Sequence, residues 1–496
     1  MITEKSEQVT TPIIAGFYPD PTICRAGNAY YLANSSFEYA PGVPIHRSTD
    51  LVTWTPVGNA LHRPSQLDVR IAPASTGVYA PTLRHHGNKF WLVTTNVLEH
   101  HRGQLIVTAD DPAGPWSDPV HVDGAIGIDP DLMWDEDGVC HLTWASNLPG
   151  IASMPIDPAT GAALGSPRLL WQGTGLAHPE GPHLYRRDGW WYLVLAEGGT
   201  ERGHTVTVAR ATSLAGPWEA APTNPVLTHR STTHPVHNTG HADLVELADG
   251  SWAVVHLGVR PRGRTPMFHV NGRETFIAGV TWIDGWPVVD EERFAPAPPD
   301  HSFVDRFDST ELDHRWVSPN VFPDSFSRLE GGRLVLSAPA EGDPKPVLSA
   351  RARDPEWTAE VRLDTSAGVG RFLVRIDESH WYGLTADAET VSATVVIGPA
   401  RTTVARVPLR GRATLRISVR EPVAVPPMPV HEPDLVELAV VADDGTPEVL
   451  GTFDGRYLST EVAGGFTGRT FGVEPVAGEV AVHHISYRSL GRQGIL

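Results

Sequence analysis

The sequence predicts an all-β protein: a five-bladed β-propeller over residues 1–297, followed by a β-sandwich over residues 298–496. Three observations support this fold class. A hairpin-like segment occurs five times in the first part, short alternating strands fill the second part, and a Pro-rich stretch at residues 295–300 separates them. A chain of 496 residues is long enough for two or three packed domains.

The five repeats share a short apolar strand, a glycine-containing turn and a second strand rich in aromatic and β-branched residues. This pattern is typical of a β-hairpin. Successive repeats begin 49 to 61 residues apart, and five all-β units of this size predict a five-bladed propeller. The stretches between them place Trp54, Trp116 and Trp218 after polar turns, as expected for outer blade strands. The repeats open at Asp20, Ala80, Asp129, Glu180 and His241, and their turn glycines are Gly27, Gly87, Gly138, Gly189 and Gly250.

The opening residues of the repeats predict a functional site. In a propeller the first strand of each blade lines the central axis, so these residues face one funnel. Three of them are carboxylates and one is a histidine, whereas a purely structural position should carry similar residues in every blade. The alternative is that Asp-Pro only begins a turn before a strand. Asp131 shares a face with Asp129 by strand alternation, but Asp129 is preferred because it aligns with Asp20 directly before a proline.

The second part of the chain alternates apolar and polar residues with the period of β-strands. The pattern predicts a sandwich of about 190 residues interrupted by a Pro-rich loop at residues 422–433, with no substantial helix in either part. The predicted strands are RLVLSAP, WTAEVRLD, GRFLVRI, SATVVIG, ATLRISV and LVELAVVA.

Charge and composition exclude several classes of function. The formal net charge of -19 disfavours a nucleic-acid or anionic-membrane partner. Cys24 and Cys140, the only two cysteines, are predicted core thiols and cannot staple a chain this long. The N-terminal residues carry no basic start and no apolar run, and no stretch reaches membrane-spanning length, so we expect a cytoplasmic location.

Long ordered motifs in both parts of the chain resemble a known family. The first part contains GFYPDPTIC, YYLANSSFEYAPGVPIHRSTDLVTW, GVYAPTL, GIDPDL, HPEGPHLY, AEGGTERGHTVTVARA, GHADLVEL and GRETFIAGVTWIDGWPVV. It resembles glycoside hydrolase family 43, in the branch of β-xylosidases and α-L-arabinofuranosidases. The second part resembles the C-terminal sandwich of that branch through FDSTELDHRW, LSARARDPEWTAEVRLD and GGFTGRTFGV, which implies a jelly-roll, concanavalin-like β-sandwich.

The resemblance implies roles for three carboxyl groups. Asp20 in YPDPT is similar to the family's general base, and Glu180 in HPEGPHLY to its general acid. Asp129 in GIDPD is similar to the acid that orients the proton donor and tunes its pKa. Such a pair of carboxyls cleaves a glycosidic bond through an oxocarbenium-like transition state, one protonating the leaving oxygen while the other activates water.

The resemblance also implies a sugar pocket. His241 in GHADL and Arg273 in GRETF are similar to the family's central histidine and its sugar-binding arginine. Phe37 is similar to an aromatic residue of the pocket, and Phe466 to one that the sandwich leans towards it; ordinary core packing is the alternative for both. Tyr79 stands where many xylosidases carry Trp, and the stretch between His256 and Arg273 is shorter than in many relatives. Sugar preference therefore stays open.

The expected function is exo-acting, inverting release of terminal β-1,4-linked xylose from small xylo-oligosaccharides. An α-L-arabinofuranosidase or a bifunctional enzyme is the alternative; an endo-arabinanase would need an open groove. A non-catalytic sugar-binding propeller would need no acid pair, and the N-D-P-N-type motif of five-bladed fructosidases is absent. No cofactor is expected to be required, with a structural calcium ion at the propeller centre, reached from His241 through water, as the alternative. A homo-oligomer is compatible with this branch, although no residue specifies one.

Overall fold

The computed structural model describes residues 11–147, 150–263, 266–294, 296–409, 412–421 and 433–491. The chain divides into two compact units. The first contains residues 1–68, 76–260 and 273–298, and the second contains residues 69–75, 261–272 and 299–496. Two short segments of the propeller sequence therefore belong with the second unit, and neither unit is a single stretch of chain.

The first unit is the predicted five-bladed β-propeller. Each blade is an antiparallel sheet built from consecutive strands, and the innermost strands of the five blades adjoin one another in a closed ring. Blades 1 and 2 consist of Thr22–Ala26, Ala29–Ala33, Gly42–Ser48, Thr55–Leu61, and of Thr82–His86, Lys89–Thr94, Gln104–Ala109, Val120–Val122. Blade 3 consists of Gly127–Trp134, Cys140–Ser146, Ile151–Asp157, Ala162–Ala163 and Arg168–Trp171. Blades 4 and 5 consist of Glu180–Arg187, Trp190–Glu197, Thr205–Ala211, Glu219–Ala220, and of His237–Glu246, Trp252–Val259, Glu274–Ile283, Trp286–Asp290.

The turn between the first two strands of each blade is made by the repeat glycine. All five glycines have a positive φ, between 61° and 81°, which side chains other than glycine adopt only with strain. The apolar faces of the strands then pack between neighbouring blades, with separate clusters joining blades 1 and 5, 4 and 5, 2 and 3, and 3 and 4. The tryptophans predicted on outer strands instead precede them: Trp54 and Trp218 lie directly before the outer strands of blades 1 and 4 and pack against these clusters. Trp116 is fully buried in the segment before the outer strand of blade 2.

The chain before blade 1 bonds to blade 5 and joins the ends of the ring. Ile14 forms a bridge with Thr275, and the Ile13 N–H donates to the Thr275 carbonyl. The buried Asn34 amide donates to the carbonyls of Tyr18 and Pro19 and to the Thr275 hydroxyl, at 2.9–3.0 Å. Blade 1 and blade 5 are therefore linked next to Asp20, the residue that opens the first repeat.

The second unit is the predicted β-sandwich. Its last strand, Thr470–Ser489, runs through both sheets: the first half pairs with Gly368–Asp377 and Leu348–Arg351, the second with Trp357–Asp364, Leu334–Ser337 and Phe303–Asp305. One hydrophobic core lies between the two sheets. The remaining strands are Ser318–Pro319, Ser327–Leu329, His380–Ala386, Thr390–Ile397, Ala400–Pro408, Ala413–Arg420, Leu435–Val441 and Pro447–Asp454. The Pro-rich loop at residues 422–433 lies outside the described residues except for Pro433.

The two propeller-sequence segments are held in the second unit by side chains of the sandwich. Asn320 donates to the carbonyls of Val69 and Ala72, at 2.8 and 2.7 Å. In the segment 261–272, Arg262 pairs with the buried Asp434 at 3.2 Å, and His269 pairs with Glu461 at 2.8 Å.

Helices are a minor part of the described ranges. They comprise the α-helix Thr460–Ala463 and the 3-10 helices Val97–Arg102, Pro323–Ser325 and Gly455–Leu458. Among the described helices none is long and apolar enough to cross a membrane. Cys24 and Cys140 are free and buried, as predicted for core thiols, and burial raises the pKa of the Cys24 thiol to about 12.

Candidate active site

Three of the five residues that open the repeats share an unusual backbone conformation. Asp20, Asp129 and His241 have φ values of 53°, 56° and 47°, in the left-handed region that residues with a Cβ seldom adopt. In blade 4 the equivalent residue is Gly181, with φ 56°, so Glu180 precedes the shared position by one residue. The register of the inner hairpins of blades 3, 4 and 5 shifts beside these residues, as in a β-bulge. Bulges re-aim side chains, and here they direct functional groups to the axis.

Asp20 is buried in a setting that keeps its carboxylate ionised. The Ser35 hydroxyl donates to Oδ2 at 2.6 Å, and Arg273 Nη1 donates to Oδ1 at 3.0 Å. His241 Nδ1 lies 3.5 Å from Oδ1. Burial alone would raise the pKa of Asp20, but Arg273, His241 and the Ser35 hydroxyl together hold it below the ordinary value. This carboxylate is suited to accept a proton.

Glu180 has the opposite character. Burial and the negative charge of Asp20 raise its pKa to about 7, against the lowering effect of Arg273. The side chain keeps 22% of its surface exposed, so a bound molecule can reach it. A carboxyl that is still protonated near neutral pH is suited to donate a proton.

Asp129 lies beside Glu180, and the charge of Glu180 affects its pKa. Its Oδ2 accepts the N–H of Gly181 at 3.1 Å, next to Glu180 in the chain. Burial and the charges of Glu180 and Asp20 raise the pKa of Asp129 well above its usual value. The two adjacent carboxyls therefore resist simultaneous ionisation and retain a proton to higher pH than isolated carboxyls would.

His241 and Arg273 both contact Asp20. Burial lowers the pKa of His241 to about 4, so the ring is neutral. A Cβ added at Gly181 would lie 2.9 Å from His241 Nε2, which shows how closely the ring packs against blade 4. Arg273 Nη1 also donates to the Thr200 hydroxyl at 2.9 Å. Arg273 is therefore fixed between blade 1 and the loop before the third strand of blade 4.

The predicted aromatic residues fall in different units. Phe37 and Tyr79 form an edge-on pair with ring centroids 5.9 Å apart, and the Arg273 guanidinium lies 5.8 Å from the Phe37 ring centre. Burial and the charge of Asp129 raise the pKa of Tyr79, which places its hydroxyl in the field of the carboxyl cluster. Phe466 belongs to the second unit, where it is half-buried and its N–H donates to Ser75 Oγ at 2.8 Å. The structure thus brings together seven of the eight predicted site residues within the propeller.

A second charged cluster, centred on the Arg84 guanidinium, lies two residues further along the inner strands than the site residues. The Arg84 guanidinium donates to Asp243 and Asp131, both at 2.7 Å, and lies 3.0 Å from His183 Nδ1. The hydroxyls of Thr22 and Tyr185 also donate to Asp243. Calcium binds through six to eight oxygen ligands, whereas these two carboxylates already share the Arg84 guanidinium. In the described part of the chain no group of three or more His, Cys, Asp or Glu side chains could hold a metal ion, so Arg84 and its carboxylates do not form a calcium site. An ion that reaches His241 only through water stays a prediction.

Several residues of the site were not singled out from the sequence. Ser35, Thr200 and His204 lie inside the motifs NSSFEY and AEGGTERGH, but nothing in their spacing distinguishes them from turn residues. Glu197 in AEGGT, by contrast, is a residue for which the sequence favours a structural role, holding the Glu180 strand, over a catalytic one. It is fully buried and accepts bonds from the Thr174 N–H and the Thr207 hydroxyl, which supports the structural role.

The site combines an ionised carboxylate on blade 1 with a protonated carboxyl on blade 4, and an arginine and aromatic rings lie around them. This combination defines a hydrolase that works by paired acid and base chemistry. The chain belongs to glycosyl hydrolases family 43, whose family model matches residues 9–287. The model of the beta xylosidase C-terminal concanavalin A-like domain matches residues 304–478. The chain is therefore a glycosidase.

Similar proteins include xylosidases and arabinofuranosidases. The chain is 45% identical over 295 residues to a xylosidase/arabinosidase of Butyrivibrio fibrisolvens, a match that spans 56% of this chain and 56% of that relative. It is 36% identical over 494 residues to a non-reducing end alpha-L-arabinofuranosidase of Bacteroides ovatus, spanning 93% of this chain and 90% of the relative. Among solved structures, the Bacteroides ovatus xyloglucan PUL GH43B protein superposes with a TM-score of 0.86 at 33% identity, covering 97% of this chain and 99% of that one. A xylan beta-1,4-xylosidase of Bacillus halodurans superposes with a TM-score of 0.85 at 28% identity, covering 96% and 99%.

Proposed function

We propose that this protein is an exo-acting, inverting glycosidase that releases single terminal pentoses, in the first place β-1,4-linked xylose, from short xylo-oligosaccharides. The observation that carries the proposal is the opposite protonation of two carboxyls in one funnel. The pKa of Asp20 is held below its ordinary value, while that of Glu180 is raised to about 7. Substrate class follows from the family and from the names of its xylosidase and arabinofuranosidase members.

In the proposed reaction Glu180 protonates the leaving glycosidic oxygen while Asp20 removes a proton from a water that attacks the anomeric carbon. Asp129 accepts the N–H of Gly181 next to Glu180, so we assign it the tasks of orienting the acid and of tuning its pKa, since two adjacent buried carboxyls resist simultaneous ionisation. Arg273 has two tasks: it keeps Asp20 ionised, and its guanidinium can bind sugar hydroxyls beside Phe37. In these steps the protein binds and orients the sugar and transfers two protons, and no cofactor takes part.

Inversion is proposed because the acid and the base belong to different blades. Asp20 opens blade 1 and Glu180 opens blade 4, so neither is a strand neighbour of the other. Retaining enzymes hold their carboxyls roughly 5 Å apart for direct attack, and inverting enzymes leave roughly 6.5–9.5 Å for a water molecule. Placement on separate blades suits the wider gap. A β-xyloside should then release α-xylose first, and proton NMR in the first minutes of hydrolysis identifies the anomer; initial β-xylose would overturn the role of Asp20 as a base.

The second candidate is an α-L-arabinofuranosidase, alone or combined with xylosidase activity. It is favoured by the Bacteroides ovatus relative of that name, which this chain matches over 90% of its length. Tyr79 at the pocket also departs from the Trp of many xylosidases. Parallel kcat/KM measurements on nitrophenyl β-xyloside and nitrophenyl α-L-arabinofuranoside decide between the two sugars.

The central experiment replaces Glu180 with Gln. Turnover of xylobiose should be lost, because its leaving sugar needs a proton, while an activated nitrophenyl glycoside should lose much less. Glu136→Gln is the matched control, since Glu136 is an exposed carboxylate on the turn of blade 3. Equal losses on both substrates, with the fold intact by circular dichroism, would contradict the acid role of Glu180.

A further inference from the structure

His204 is a buried histidine at the edge of the site whose ring is fixed in one orientation. It directly precedes the third strand of blade 4, Thr205–Ala211. Its Nδ1 lies 3.1 Å from the carbonyl oxygen of Asn238. A Cβ added at Gly240 would lie 2.3 Å from the ring, so glycine at that position is what allows the histidine to occupy this place.

These contacts determine which ring nitrogen carries the proton. A carbonyl oxygen only accepts hydrogen bonds, so Nδ1 of His204 must donate. In a neutral imidazole the other nitrogen, Nε2, is then a bare acceptor. Burial lowers the pKa of His204 to about 3, so the ring is neutral at any pH at which the enzyme could work.

The Nε2 acceptor faces Glu180. It is buried and has no hydrogen-bond partner in the described ranges, and it lies 3.8 Å from Glu180 Oε1. Buried polar atoms rarely stay unpaired in native proteins. A protonated carboxyl offers an O–H to this acceptor, whereas an ionised carboxylate offers only lone pairs, which repel those of Nε2. The contact therefore distinguishes the two protonation states of Glu180.

We propose that His204 is a positioning residue for the general acid: its Nε2 accepts the hydrogen bond of the protonated Glu180 carboxyl and so favours the acid form. The inference rests on the proposed role of Glu180. In the resting enzyme the shared hydrogen holds the carboxyl in one rotamer. When the proton has passed to the leaving oxygen, the carboxylate faces an acceptor, which favours its reprotonation before the next turnover.

Other charges also act on this pair, and the test must separate them from His204. Burial and Asp20 raise the pKa of Glu180, and Arg273 lowers it. The charge of Glu180 in turn raises the pKa of Asp129, which burial also raises. All of these remain when only His204 is changed. The groups that act on His204 itself are His241, Arg273 and Asp20.

Two substitutions divide the functions of the ring. His204→Asn keeps a donor near the position of Nδ1, for the Asn238 carbonyl, and removes the acceptor that faces Glu180. His204→Gln does the reverse, because its longer side chain can present an amide oxygen to Glu180. We expect His204→Asn to move the alkaline limb of the kcat/KM profile on xylobiose down by about half to one pH unit, a 3- to 10-fold change in the fraction of acid form. His204→Gln should restore part of the shift, and the acidic limb should not move.

Nitrogen NMR of the full-length protein with labelled histidine gives a readout independent of activity. The Nε2 resonance of His204 should change as Glu180 titrates near pH 7 and should lose that titration in Glu180→Gln. An unmoved alkaline limb in a folded His204→Asn protein, or an Nε2 resonance insensitive to Glu180, would overturn the proposal. If Glu180→Gln keeps its activity on xylobiose, the proposed function fails instead, whatever His204 does.

Discussion

The Arg84 guanidinium offers the sharpest test of how the propeller axis is stabilised. Its two partners, Asp131 and Asp243, have no exposed side-chain surface, and the Arg84 side chain itself is 16% exposed. Arg84→Met keeps much of the volume but leaves two buried carboxylates without their cation. Removing one partner of a buried ion pair costs about 3–5 kcal/mol, and for a domain of this size each kcal/mol lowers Tm by about 2–4 °C. We therefore expect Tm to fall by about 6–20 °C at neutral pH.

The loss should depend on pH in a defined direction. In the wild-type protein burial opposes ionisation of Asp243, but Arg84 holds its pKa well below the unfolded value. That stabilisation is present above the unfolded pKa, roughly 4, and is lost as pH falls through the folded pKa. Without Arg84 only His183 and the hydroxyl donors still oppose the burial effect, so we expect the folded pKa of Asp243 to rise above the unfolded one. The penalty should then be full near pH 8 and smaller near pH 5, where the carboxyl can fold protonated.

The assay is thermal unfolding by circular dichroism from pH 5 to pH 8. Arg186→Met is the matched control, because its partner Glu136 is exposed and surface pairs contribute little. Arg84→Lys should fall between wild type and Arg84→Met, since an ammonium group cannot bridge two carboxylates as the planar guanidinium does. An Arg84→Met protein that unfolds within 2 °C of wild type, or one whose loss is equal at pH 5 and pH 8, would refute this account of the axis.

Three further perturbations test the site and the sandwich. Asp129→Asn should move the alkaline limb of the activity profile to lower pH, because Glu180 then has no second carboxyl beside it with which to retain a proton; a stationary limb would exclude Asp129 from tuning the acid. Dialysis against EDTA should leave activity and Tm unchanged, because an arginine already bridges the axial carboxylates, whereas a loss reversed by calcium chloride would contradict this. A chain ending near Pro299 should be poorly soluble and inactive on xylobiose, because segments 69–75 and 261–272 lose their partners in the sandwich; size-exclusion chromatography of a monodisperse, fully active product would contradict it.

Much of the fold was predictable because its signals are local. The turn glycines, the paired strands and the tryptophans before the outer strands each lie within one repeat, and the repeat pattern alone aligns Asp20, Asp129 and His241. The one-residue offset of Glu180 is visible in the sequence but has no explanation there. Its cause is a backbone conformation: Gly181 occupies the left-handed position that aspartate or histidine holds in other blades.

The features that escaped the sequence depend on long-range contacts. Arg84 bonds to residues 47 and 159 positions away, and no pattern along the chain links them. The orientation of His204 depends on a carbonyl 34 residues further on. The association of segments 69–75 and 261–272 with the sandwich likewise requires partners that appear only after residue 299.

The last strand of the sandwich imposes an order on how the protein is made. Because Thr470–Ser489 pairs in both sheets, neither sheet can be completed until residue 489 has left the ribosome. Segment 261–272 emerges some 200 residues earlier, and at roughly 5–20 residues per second it waits about 10–40 s for the completed sheets. During that interval the propeller sequence is fully synthesised while its two extra segments have no sheet to bind. We expect the nascent chain to depend on chaperones at this stage, and slower translation of the sandwich to lower the yield of active enzyme.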